Sequence, residues 1–130
     1  MKPLLLDTHV VIWWLASPKR LSRQVQTQIE RADVAVSVIS VWEILLKGER
    51  GKLKLPAGEV HALIEAQGFR ILPLRIEHVQ AAADLGGLHA DPYDRLLVGA
   101  ARAEKLVLVT RDAQILERAA SALGDLLMEA

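Results

Sequence analysis

Four acidic residues, far apart along the chain, each stand at the mouth of an apolar run. Asp7 follows Leu4-Leu5-Leu6, Glu43 comes shortly after Val34-Ala35-Val36, Asp94 opens Leu96-Leu97-Val98, and Asp112 follows Val107-Leu108-Val109-Thr110. If the runs at 4–6, 34–36 and 107–109 are parallel buried strands, the acids near their C-terminal ends gather at one sheet edge. That edge is where open α/β sheets bind ligands. Crowded carboxylates do not all stay ionised without a counter-charge, so such a knot is expected to hold a cation. Oxygen donors alone favour Mg2+ or Mn2+.

Each acid also has a simpler use, as a helix cap. Asp7 suits the N-terminus of the helix after it, and Ser40-x-x-Glu43 matches a capping box. Asp91-Pro92 reads as an N-cap with Pro at the first helical position, which puts Asp94 at the third. Thr110 or Asp112 suits the helix that follows them. A cap explains one acid at a time and does not require convergence. Glu43 fits it least well, because it lies one turn into its helix.

The elements that must position these residues follow from the hydrophobic pattern. Strand 4–6 leads to a helix at Val10–Leu15 that is too apolar for a surface, and Ser17-Pro18 breaks it. Leu21, Val25 and Ile29 recur every four residues, marking an amphipathic helix. Strand 34–36 precedes a helix from Ile39 to about Glu49, with Gly48 and Gly51 near its end, and Leu53 and Leu55 then alternate with lysines up to Pro56. Val60, Leu63, Ile64 and Gln67 fit a helix with Gly68 at its C-terminal end. A short strand at 71–74 contains Pro73, which argues for an edge or a strand end. A helix at 76–85 ends at Gly86-Gly87, and one from Asp91-Pro92 runs to about Ala103, where Gly99, Ala100 and Ala101 permit close packing on a sheet. Strand 106–109, a helix near 112–120 and a possible strand at 126–128 complete a single domain over 1–130. Strands alternating with helices imply an α/β fold with a mostly parallel sheet covered on both faces.

Composition narrows the function classes. Hydrophobic residues make up 52%, and 16 basic residues balance 16 acidic ones. With zero formal charge there is no global basic field, so a polyanion must be held by a local patch or through metal. Cysteine is absent, which excludes disulfides, thiolate zinc sites and a catalytic thiol. No apolar run approaches the roughly 20 residues of a membrane span, and nothing at the N-terminus reads as a signal peptide. The expected location is the cytoplasm.

The segments LLDTHVVIWWL at 5–15, SVISVWEI at 37–44, DPYDRLLVGAA at 91–101 and LVTRD at 108–112 together resemble PIN-domain ribonucleases, specifically VapC-like toxins of VapBC toxin–antitoxin pairs. The motifs are spread over most of the chain in the family's order; each is weak alone and the four together are specific. The resemblance implies a three-layer α/β/α sandwich and a divalent-metal site that cuts RNA. It places the metal-binding and catalytic acids at Asp7, Glu43, Asp94 and Asp112, with Thr110 near the metal and Asp91 a cap outside the set. It also implies a small antitoxin as partner and, in many relatives, a homodimer. The receiving apolar surface is expected on the first helices, around Trp13 or Trp14 and the Leu21/Val25/Ile29 stripe. A housekeeping RNA-processing nuclease and a non-catalytic binding module of the same fold stay open as alternatives, although no acid of the pattern is missing. A receiver domain would show an acidic pair after the first strand and a late Lys, and a haloacid-dehalogenase-type phosphatase would show Asp-x-Asp-x-Thr. Neither pattern is present.

Other residues carry weaker signals. Thr110, Arg95, Arg111 and Lys47 are candidate substrate contacts, and Lys47, Arg50, Lys52 and Lys54 form a basic run whose simplest role is a solvated face. His9 is expected to pack its helix, His89 to serve the loop before Asp91, and His61 and His78 to lie on surface helices. Trp13, Trp14 and Trp42 are expected in core or interface, with base stacking as the rarer use.

Overall fold

A computed structural model describes residues 1–51, 55, 59–86 and 91–130. The basic positions Lys52 and Lys54, the alternation at Leu53 and its end at Pro56, Gly87 and His89 lie outside the described residues. Five parallel strands form one sheet in the order β3-β2-β1-β4-β5, with β1 Leu4–Leu6, β2 Val34–Ser37, β3 Arg70–Leu72, β4 Val107–Thr110 and β5 Leu127–Glu129. Leu4 pairs with Val34 on one side and Val107 on the other. β3 stops at Leu72, one residue before Pro73, and lies at the sheet edge, as a residue without an N–H requires.

Alternate side chains of each strand enter separate cores. Leu4, Leu6, Val34, Val36, Val107 and Val109 join Val10, Val11, Val25, Ile29, Ile44 and Ile64 on one face. These come from α1 Thr8–Ala16, α2 Arg23–Arg31, α3 Val38–Glu49 and α4 Val60–Ala66. Leu5, Ala35 and Leu108 join Leu97, Ala100, Ala101, Ile115 and Leu123 on the other face. These come from α6 Pro92–Glu104, α7 Ala113–Arg118 and α8 Ala120–Leu123. The three-layer α/β/α sandwich expected from the sequence follows, and both-sided burial explains why the central strands are continuously apolar.

Several expectations are corrected. Leu21, Val25 and Ile29 are at most 3% exposed, because Leu21, just before the Ser22 cap of α2, and the inner face of α2 both turn into the core; they form no docking surface. Exposed apolar side chains sit elsewhere, at Val38, Trp42 and Leu45 of α3 and at Leu74, Ile76 and Val79 around α5 Ile76–Asp84. α3 starts at Val38 with Ser37 as its cap, through Ile39 N–H at 3.0 Å, so Ser40 and Glu43 form no capping box. His78 is buried, not on a surface. It accepts from Arg75 N–H at Nδ1 and, as that tautomer dictates, donates from Nε2 to Glu104 at 2.9 Å.

That last contact belongs to a close pairing of α5 with α6. Gly99 packs against α5, not against the sheet: a Cβ there would lie 2.6 Å from His78 O and 2.7 Å from Ala82 N, both backbone atoms. Neither atom yields without moving the helix. Gly99→Ala is therefore expected to destabilise by about 1–3 kcal/mol although Ala favours helix by about 1 kcal/mol. Urea unfolding of the two proteins measures the difference, and a more stable Ala variant contradicts the packing.

Candidate active site

The sheet reverses its direction of winding between β1 and β4, which are neighbours although a β2–β3 half was laid down between them. At such a switch point the connections leave the sheet on opposite faces and open a crevice at the strands' carboxyl ends. Asp7 follows β1 directly and is still tied to β4, its N–H donating to Val109 O at 3.0 Å. Its carboxylate is buried and doubly held, Oδ1 by Thr8 N–H at 2.7 Å and Oδ2 by the Thr110 hydroxyl at 2.7 Å. Thr110 is itself fully buried and accepts from Asp112 N–H at 3.0 Å. It orients Asp7 and is out of reach of substrate, which revises its expected role as a substrate contact.

Glu43 arrives from α3, one turn and a half in, and the Thr8 hydroxyl donates to its Oε1 at 2.7 Å, with Ser40 Oγ 2.9 Å from the same hydroxyl. Asp112 caps α7 through Gln114 and Ile115 N–H. Asp91 caps α6 through Tyr93 and Asp94 N–H, with Asp94 in the first turn. Capping and convergence are thus not rivals, because helices that begin at the strand mouths bring their caps to one place.

The electrostatics show how close that place is. Burial first, and then the charges of Asp91, Asp7, Asp112 and Glu43 in that order, push the Asp94 carboxyl up to about 7. Asp91, expected outside the group, is the strongest of these charges. Asp7 is also raised, by burial first, against the opposing Thr110 and Thr8 hydrogen bonds. Burial raises Glu43, with Asp7 and Asp91 adding to it and Thr8 and Lys47 opposing it. Among the described residues no three His, Asp or Glu side chains close to metal-ligating range. The acids share one field without forming a ligand cage, as uncompensated like charges do. The donor set still fits a hard divalent cation: oxygens only, in mutual repulsion, with two carboxylates steadied by hydroxyls.

Two clefts flank the acids. One, of about 260 Å3, is lined by Asp7, His9, Trp13, Arg111 and Asp112; the other, of about 250 Å3, by Glu43, Leu46, Lys47, Arg50, Asp91 and Tyr93. His9 is exposed at this mouth, 3.1 Å from Lys47 Nζ, with its ring 6.1 Å from that of Trp13 one turn along its own helix. Arg111 lies over the Trp13 ring at 4.8 Å and donates to the carbonyls of Ala130 and Arg20, so it is a braced cation at the rim. Arg95 points away: its Nη2 donates to Ala82 O at 3.1 Å and ties α6 to α5, which removes it from the substrate contacts. Sequence reasoning passed over Thr8, whose signal was a hydroxyl next to Asp7, and the Trp42 Nε1–H bond to Tyr93 Oη at 3.1 Å.

A three-layer parallel α/β protein with an acidic site at its switch point is the class defined by these features. The chain belongs to the PIN-domain family, whose profile matches residues 4–121. It is 33% identical over 118 residues to ribonuclease VapC22 of Mycobacterium tuberculosis (strain ATCC 25618 / H37Rv), covering 88% of this chain and 91% of that one. In fold it is similar to DNA-bound VapBC from Salmonella typhimurium (TM-score 0.65, 18% identity, 100% and 98% of the chains covered). It is also similar to a toxin–antitoxin complex from Klebsiella pneumoniae (TM-score 0.64, 16% identity, 96% and 95% covered). No helix among the described residues is long and apolar enough to cross a membrane.

The raised Asp94 carboxyl fixes a pH dependence. Its folded value of about 7 exceeds its ordinary 3.8, so the folded state holds the proton more tightly than the unfolded chain. The stability this group contributes is full below about pH 4 and is lost as pH rises through 7. In chelator, Asp94→Asn is expected to be more stable than the parent at pH 7 and to flatten the stability profile between those limits. Urea unfolding across pH measures this, and an Asp94 carboxyl that titrates near 4 by NMR contradicts it.

Proposed function

We propose that this PIN domain is a divalent-metal-dependent endoribonuclease and the toxin of a toxin–antitoxin pair. The observation that carries the reading is the field around Asp94, in which four further carboxylates converge from β1, α3, α6 and α7. Its relative in M. tuberculosis is named a ribonuclease, and solved neighbours of the same fold are toxin–antitoxin complexes. A small antitoxin is accordingly the proposed protein partner, with a second copy of the chain as a further one.

Asp7, Glu43, Asp94 and Asp112 would hold the ion, Mg2+ or Mn2+, and Asp91 adds charge beside them. When bound, such an ion lowers the pKa of water and neutralises phosphoryl oxygens. The chain's own residues do the rest. Thr110 and Thr8 N–H fix the Asp7 oxygens, and the Thr8 hydroxyl fixes Glu43. Lys47 and His9 stand together at the mouth, where a cation offsets phosphate charge that the acids alone would repel. Arg111, braced on Trp13, does the same on the other flank.

Asp7→Asn and Asp94→Asn are each expected to reduce RNA cleavage at least a hundredfold with the fold retained. Chelation is expected to silence the parent, and added Mg2+ or Mn2+ to restore it. Cleavage of short RNAs read on gels measures both, and full activity of either variant at low metal rules out the assignment. Thr110→Val, which frees Asp7 but keeps shape, is expected to weaken metal affinity roughly 10–100-fold, read by calorimetry; unchanged affinity would deny Thr110 its orienting role.

A further inference from the structure

The cleft beside Glu43 contains more than a metal site needs. Its lining joins an aromatic ring, Tyr93, to an apolar side chain, Leu46, and two cations, Lys47 and Arg50. Tyr93, in the first turn of α6, lines this cleft together with Glu43 and Asp91, which places its ring beside the acids. The ring is held in place: Trp42, on α3 and adjacent in sequence to Glu43, donates its indole N–H to Tyr93 Oη at 3.1 Å. Trp42 is 49% exposed, and neither ring packs into the two cores of the fold. Two aromatics are thus kept at the rim of an acidic crevice, bridging the helices that supply Glu43 and Asp94, where burial does not account for them.

The geometry points to a nucleobase-stacking subsite: Tyr93, positioned by Trp42, takes the base that adjoins the scissile phosphate, and Lys47 and Arg50 take neighbouring phosphates. Stacking requires an open base face, and a base inside a duplex has none to offer, so recognition of this kind falls on loops, bulges and ends. An aromatic platform with backbone cations is sequence-tolerant, since every base has a π-face. Tyr93 contacts the substrate; Trp42 acts through Tyr93 and is a positioning residue. The inference rests on the ribonuclease reading for the identity of the polyanion.

The test separates the two. A fluorescent single-stranded RNA is bound to the Asp94→Asn protein, so that affinity is read without cleavage, and an abasic position is moved through the sequence. One abasic position is expected to weaken binding roughly ten- to hundredfold. In the Asp94→Asn/Tyr93→Leu protein intact RNA is expected to bind that much more weakly already, with no further loss from the same abasic position. Tyr93→Phe, which keeps the ring, is expected to retain most of the affinity, and Trp42→Phe, which keeps the packing and loses the N–H, to fall between. A duplex of the same sequence is expected to bind at least tenfold more weakly than the single strand. Additive losses from the abasic position and Tyr93→Leu, or equal affinity for duplex and single strand, overturn the subsite. Sedimentation that changes with Tyr93→Leu while RNA affinity per protomer stays constant makes this face a protein contact and also overturns it. Failure of the parent to cleave RNA in Mg2+ or Mn2+ overturns the ribonuclease reading alone, because the abasic scan reads base stacking independently of catalysis.

Discussion

Repulsion among buried carboxylates is the constraint on which the rest of this molecule depends. Asp7 emerges from the most enclosed part of the sheet, between β2 and β4, where a carboxylate is expensive to bury without compensation. Compensation comes from its immediate surroundings: one oxygen takes the N–H at the start of α1 and the other takes Thr110 from the neighbouring strand. The same economy recurs at Asp112, whose cap satisfies the first N–H groups of α7, and at Asp91 on α6. Glu43, with no helix end to serve, takes the Thr8 hydroxyl instead. Asp94 is raised by burial and by the like charges of Asp91, Asp7, Asp112 and Glu43, and its carboxyl rises to about 7.

Much of this was legible in the sequence because it depends on local pattern. Three apolar runs, each followed by an acid, specify parallel strands and the edge they share. Pro73 marked the sheet edge, and Asp91-Pro92 marked the start of α6. That Asp7, Glu43, Asp94 and Asp112 come to share one field was legible for the same reason. What remained hidden was pairwise. Whether Asp91 shares a field with Glu43 depends on where α6 lies relative to α3, which no spacing within the motif reveals.

The misread residues share a cause. Val25 and Ile29, His78 and Arg95 all lie on helices whose second neighbour cannot be read from their own periodicity. α2 is polar outside its stripe, so the stripe goes inward and nothing apolar is left for a partner. α5 looks like a surface helix because its apolar content is modest, yet Gly99 lets α6 approach until His78 is enclosed and Glu104 becomes its acceptor. Arg95, next to an acid in sequence, was an attractive phosphate contact. A helix turns about 100° per residue, so the residue after a site acid faces elsewhere, here toward the end of α5.

The same rotation clarifies how a chain of zero formal charge can present an acidic centre to a polyanion. On α3, Glu43 and Lys47 are one turn apart and share a face, so the helix that carries a charge into the crevice also carries its counter-charge to the rim. His9 joins Lys47 from α1, and Arg111 stands one residue before Asp112, held back over Trp13. Glu43 and Asp112 therefore each have a cation a few residues away in the chain but displaced outward in space. The result is a negative centre ringed by positive and aromatic groups, a distribution that favours a bound cation at the middle and phosphates around it. Total charge conceals this arrangement because it sums over opposite signs that the fold keeps apart.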